Sequence, residues 1–417
     1  MKLKTFISVM LSVTIILTCS ALPCIADNNY KNFEFSKVPD NYYSQAAHQG
    51  SIEEIKYETE DCEDTGGTIT KSAYVYIPYG YDKNDKNTKY DIFYLMHGAG
   101  GSARTYMGTN NSPTRLKHMI DNMIENKQIK PTIIVTPTVN SGSDWYGSTT
   151  PEFYKELRND LMPLVESSYN TYAENTTLEG FKNSRQHRAF GGFSMGGATT
   201  WFIFMNCLDY FEYYLPMSGD CWAYGTLAGG SKPDETAQLL ADTVSNYGYG
   251  ADDFKIFAAT GTQDIAFSNM NNQIGSMKKH SDVFKYTDKS FNDGNITYYT
   301  VSGNIHDYPQ THEYIYNGLQ YFFEEKEGDK PSISLSETEL LANNIPENAI
   351  VIAVLYDVNS RVIGVKIYRE KANFTAKYIS DMSEWTEKSY YAKAYVWDFS
   401  KLTPLCNAET SILISNN

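Results

Sequence analysis

Apolar residues in this chain come in short runs separated by polar spacers. Ser72–Pro78 reads as a strand stopped by Pro78, and Tyr90–Met96 reads as a second strand running into a glycine-rich loop. Pro113 to Asn126 predicts a helix, followed by a strand at Thr132–Thr136. Pro151 opens another helix, with Phe153, Leu157, Leu161 and Leu164 at three- and four-residue steps on one face. Arg188–Gly191 is short and apolar enough for a buried strand, and Ala198–Met205 for an apolar helix. Tyr213–Met217, Lys255–Thr260 and Thr297–Val301 continue the series. Strands alternating with helices predict an α/β fold with a mostly parallel sheet covered on both faces. Residues 27 to about 60 are polar and Tyr-rich and read as an extended lead-in.

The two ends depart from this alternation. Lys2 and Lys4 precede an apolar run from Phe6 to Leu17, and small residues follow as far as Ala26. That reads as a secretory signal peptide over residues 1–26, so a secreted, extracellular protein is expected. The run is too short for a span, so no stable membrane insertion is expected. Thr18 disfavours a lipid anchor on Cys19. After a charged stretch at Glu324–Asp329, the remainder carries β-type runs at Ala349–Tyr356 and Tyr391–Trp397 without a comparable helix. We expect a main domain over 27–328 and a small β-sandwich-like accessory domain over 329–417.

Charge narrows the partners. With 35 basic against 50 acidic residues the net charge is −15, which argues against nucleic acid or an anionic membrane surface. Some of the 34 Tyr, 20 Phe and 5 Trp must be core, and flat aromatic faces also suit sugars or phenolic rings. Beyond the signal lie Cys62, Cys207, Cys221 and Cys406, with no C-x-x-C or Cys/His metal spacing, so no metal site is expected. Cys207 falls in an apolar helix pattern and reads as a buried thiol.

The candidate chemistry centres on Gly192-Phe193-Ser194-Met195-Gly196-Gly197, which matches the G-x-S-x-G nucleophile elbow in its required strand–turn–helix context. This is the arrangement of an α/β-hydrolase. Acyl transfer by serine needs a base for the hydroxyl proton and a carboxylate to orient that base. In this architecture both follow the serine, acid before histidine. Beyond Ser194 the histidines are His280, His306 and His312. His306 sits in a loop after a strand and is the expected base; His312 is second, and His280 lies in a charged helical stretch. Asp264 follows the Lys255–Thr260 strand and is the expected acid, with Asp220 as rival. The oxyanion donors expected are the N–H groups of Met195 and Ala99, with Gly98 or Gly100 as alternatives to Ala99. Trp145, Tyr146 and Trp222 follow strand ends and could sandwich an aromatic ring; the plainer reading of the tryptophans is that they cap the core.

Together, His97-Gly98-Ala99-Gly100-Gly101, the Ser194 elbow, Ala259–Ala266 and His306 resemble carbohydrate esterase family 1, in particular feruloyl esterase domains attached to xylanases. The likeness runs from roughly Val38 to Glu324. It implies an α/β-hydrolase fold, no metal or cofactor, and release of ferulate or related hydroxycinnamates from arabinoxylan or feruloylated oligosaccharides. It also implies Ser194 as nucleophile, Asp264 as acid, His306 as base and Met195 N–H in the oxyanion hole. An acetylxylan esterase with the same triad, or a non-catalytic carbohydrate-binding protein of the same fold, are the alternatives. Two positions depart from the family: Asp307-Tyr308 stands where an aromatic pair is expected, and Ala99 where a third glycine is common.

Overall fold

The computed structural model describes residues 31–61, 67–139, 150–323, 331–346, 349–370, 372–378, 390–398, 403–406 and 408–413. The expected signal peptide, Cys62, Trp145, Tyr146 and the charged 324–330 stretch lie outside the described residues. The chain divides into two compact units, one over residues 30–324 and one formed by the residues beyond 324.

In the larger unit, β1 (Ser51–Glu60), β2 (Thr68–Ile77), β3 (Asp91–Met96), β4 (Thr132–Thr136), β5 (Arg188–Phe193), β6 (Tyr213–Met217), β7 (Lys255–Gly261) and β8 (Ile296–Val301) form one sheet. Their spatial order is β1-β2-β4-β3-β5-β6-β7-β8. The β1–β2 and β2–β4 pairs are antiparallel, and the others are parallel. The helices that position the site are α1 (Arg115–Glu125), α2 (153–168), α3 (Met195–Asn206), α4 (Pro233–Asn246), α5 (Phe267–Met277) and α6 (Tyr308–Leu319).

Strands buried on both faces explain the unbroken apolar runs. On β3, Ile92, Tyr94 and Met96 join one core with Trp201, Phe204, Leu161 and Ile274. Phe93 and Leu95 point the other way, into a core with Leu116, Met119 and Ile315. α3 has no polar face because it is buried almost throughout between the sheet and its neighbours. At the start of β5 the buried Arg188 guanidinium bonds to Glu166 (2.7 Å), to the carbonyls of Phe181 and Tyr210, and to Ser184 Oγ. Four hydrogen bonds and the Glu166 carboxylate are what make a charge tolerable there.

Two expectations need correction. The extended lead-in includes a sheet strand that the sequence reading did not single out, since residues 51–60 form β1. It is an edge strand with Ile52, Tyr57 and Thr59 buried and glutamates facing outward, so its composition looked like loop. The helix after Pro151 also carries a π-helical turn at Leu157–Leu161. The extra residue shifts the buried face, so Met162 and Val165 are buried while Leu164 is only half-buried.

In the C-terminal unit, β9 (Ser332–Leu335), β10 (Leu340–Ile345) and β13 (Ala372–Ala376) form a three-stranded sheet. β11 (Ala349–Tyr356), β12 (Val362–Tyr368) and β14 (Tyr391–Asp398) form the body of a five-stranded sheet. Ile333, Leu340 and Ala342 of one share a core with Val351, Ala353, Leu355, Ala392, Ala394 and Val396 of the other. Two sheets around one core match the expected sandwich.

Candidate active site

β5 ends at Phe193 and α3 begins at Met195, so Ser194 makes the whole turn, at φ 57° and ψ −115°. A non-glycine residue in that region is strained by about 1–3 kcal/mol and persists only when its surroundings hold it. Here Ser194 N–H donates to Met217 O (2.8 Å) and Ala198 N–H donates to Ser194 O (3.0 Å). The tightness accounts for two flanking glycines. A Cβ on Gly192 would lie 2.5 Å from Gly196 O, and one on Gly196 would lie 2.5 Å from Met96 O.

The turn after β7 presents Asp264, and the loop between β8 and α6 presents His306. His306 Nδ1 lies 2.7 Å from Asp264 Oδ1, and Nε2 lies 2.8 Å from Ser194 Oγ. A carboxylate only accepts, so Nδ1 carries the proton and Nε2 is left to accept from the serine hydroxyl. The Asp264 side chain is fully buried, and Oδ1 also accepts from Ala266 N–H (2.7 Å). Ser194, Asp264 and His306, far apart in sequence, thus form one hydrogen-bonded chain. Chemically, that chain can take a proton from the hydroxyl while the carboxylate fixes the imidazole.

The rival residues are engaged elsewhere. Asp220 accepts from Trp222 Nε1 (3.3 Å) and Gly230 N–H (3.3 Å), and burial raises its carboxyl above the usual range. His280 lies just past α5. His312 sits on α6 beside the Tyr43 ring, where burial, and then the Arg115 charge, lower it to about 4. An unfolded histidine titrates near 6.5, so between the two values the unfolded chain binds a proton that the native state refuses. Stability should therefore fall on acidification through this window, by at most about 3 kcal/mol from this group. Urea unfolding near neutrality and near about pH 5 should show a larger acid loss for the wild type than for His312→Gln. Equal losses would remove His312 as the cause.

Met195 begins α3, where backbone N–H groups lack helical partners. In the loop after β3, Gly98 N–H donates to Tyr308 Oη (2.7 Å) and Gly101 N–H to Gly98 O (3.0 Å). The Gly98 alternative is thereby committed elsewhere, which leaves Ala99 and Gly100. His97 is buried; its Nδ1 meets Gly98 O at 2.7 Å and its Nε2 meets Thr138 Oγ1 at 2.8 Å. Burial lowers its pKa and keeps it neutral, so Nδ1–H donates to the carbonyl and the Thr138 hydroxyl donates to Nε2. Sequence reasoning marked Tyr308 only as a departure from the family pattern, without a role, and missed Thr138 as part of this site. Trp222 lies beyond β6, half-buried against the core, and Tyr224 beside it is exposed.

Comparison with known proteins agrees with this architecture. The esterase family model matches residues 69–317. The chain is 40% identical over 307 residues to endo-1,4-beta-xylanase Y of Acetivibrio thermocellus, covering 72% of this chain and 26% of that protein. It is 30% identical over 191 residues to an endo-1,4-beta-xylanase/feruloyl esterase of Xylanibacter ruminicola, covering 44% of this chain and 24% of the relative. It thus spans about a quarter of the length of these curated relatives. Among solved structures, it resembles a serine-to-alanine variant of the feruloyl esterase module from Clostridium thermocellum complexed with sinapinate. That match has 40% identity and a TM-score of 0.60, covering 71% of this chain and 96% of that one. The chain belongs to the esterase family, with the α/β-hydrolase fold, and groups with the feruloyl esterase modules of carbohydrate esterase family 1.

Proposed function

We propose that this protein is a secreted serine esterase that releases ferulate and related hydroxycinnamates from arabinoxylan or feruloylated oligosaccharides. The observation that carries the reading is the continuous Asp264–His306–Ser194 hydrogen-bonded chain on a strained elbow. His306 takes the Ser194 proton as Oγ attacks the ester carbonyl, and the oxyanion is met by Met195 N–H and Ala99 N–H. Collapse expels the sugar alcohol, protonated by His306, and leaves a feruloyl-enzyme. Water, deprotonated by His306, then releases ferulate and restores Ser194. Asp264 stabilises the imidazolium formed in each half. The substrate assignment draws on the feruloyl esterase relatives and the sinapinate-bound one, and the extracellular assignment on residues 1–26.

Labelling with a fluorophosphonate and peptide mapping tests the nucleophile: modification should fall on Ser194, and modification elsewhere or none would overturn the assignment. We assign Trp222 to the aromatic clamp of the acyl group, with its indole held by Asp220. Trp222→Ala should raise KM for methyl ferulate roughly tenfold, the value of one buried aromatic contact. KM for 4-nitrophenyl acetate, which has no phenolic ring on its acyl group, should change little. An equal effect on both would leave Trp222 as a cap on the core.

A further inference from the structure

The loop that supplies Ala99 is pinned from three directions. The Gly98–Ala99 peptide has its carbonyl end on two donors, His97 Nδ1–H (2.7 Å) and Gly101 N–H (3.0 Å). In a planar trans peptide the C=O and the following N–H point in opposite directions. Fixing Gly98 O therefore fixes the direction of Ala99 N–H. The preceding peptide is held by Gly98 N–H donating to Tyr308 Oη at 2.7 Å.

Tyr308 is well placed to hold it. It follows His306 by two residues, and its ring packs on Phe193 (5.0 Å between centroids) and edge-on to Tyr106 (5.7 Å). Phe193, the residue before Ser194, also packs on the His306 ring at 4.5 Å. The ring is thus set by packing, and only the hydroxyl reaches the glycine loop. There is little slack: a Cβ on Gly101 would come within 2.6 Å of Tyr308 Oη and 2.9 Å of His97 Nδ1. Burial lifts the phenol to about 12, so it stays neutral across the working range.

We propose that Tyr308 is a positioning residue whose hydroxyl, together with His97, orients the Ala99 N–H toward the oxyanion. The inference rests on the assignment of Ala99 as an oxyanion donor under the proposed function.

Tyr308→Phe keeps the ring and its packing and leaves Gly98 N–H without its acceptor. With methyl ferulate as substrate, kcat should fall about tenfold, less than the 10²–10³ typical of losing an oxyanion donor outright. KM should change less than twofold, as should the affinity for ferulate measured on a Ser194→Ala background. The pH–kcat profile should keep its midpoint, because His306 and Asp264 are untouched. Gly101→Ala, which crowds the same oxygen, should lower kcat in the same manner. Unchanged kcat in Tyr308→Phe, or a raised KM with kcat kept, would overturn the positioning role. Activity surviving in Ser194→Ala alone would instead overturn the proposed function, so the two failures are distinguishable.

Discussion

Ser194→Ala should lower kcat/KM for methyl ferulate by roughly 10⁵-fold or more, while leaving a folded protein that still binds ferulate. The magnitude follows from losing the nucleophile of a coupled set whose members act as a unit. No other group on the described elbow can replace Oγ, because the adjacent positions are Phe193 and Met195. Stability should hardly move. The strain at φ 57° comes from carrying a Cβ, which alanine keeps, and the backbone bonds to Met217 and Ala198 do not involve the hydroxyl. Residual rate above the uncatalysed reaction would come from binding and the oxyanion donors. A variant within tenfold of wild type, verified by mass as free of wild-type carry-over, would remove Ser194 from the chemistry.

Asp264→Asn is the second large effect, and it tests orientation rather than attack. Asparagine is nearly isosteric, so the fold is kept, while an amide nitrogen in the place of Oδ1 gives up the Ala266 N–H contact. Its amide can donate to His306 Nδ1, which places the imidazole proton on Nε2, facing Ser194 Oγ across 2.8 Å. A protonated Nε2 cannot accept the serine proton, and the imidazolium loses its counter-charge. We expect kcat to fall by about 10⁴ with KM nearly unchanged, the size seen for the equivalent change in a serine protease triad. A fall of only a few-fold would show that another carboxylate orients His306. Asp220 would be examined next, although its hydrogen bonds run to Trp222 and Gly230.

How much of this was legible from the sequence depended on how local the cause was. The elbow was legible because the close approach of Gly192 to Gly196 is imposed within five residues. Asp264 and His306 were legible because chain order restricts which strand ends can carry acid and base, and the structure brings both to Ser194. Cys207 was legible too: it is a buried thiol at the end of an apolar helix, and burial raises its pKa. β1 was missed because a half-exposed edge strand needs few apolar residues, so Ser51–Glu60 looked like loop. The π-helical turn was missed because one inserted residue moves the buried face without changing composition. The Tyr308–Gly98 bond could not be read at all, since 210 residues separate its partners and only tertiary packing joins them. Tyr308 showed in the sequence only as an unexpected residue beside the histidine.

The most direct test of the account is hydrolysis of methyl ferulate beside 4-nitrophenyl acetate by the wild type and Ser194→Ala. The account predicts ferulate release by the wild type and its loss in the variant. Release of acetate but not ferulate would contradict the feruloyl assignment, turning the same three residues toward short acyl groups. Hydrolysis that does not depend on Ser194 would contradict the mechanism itself.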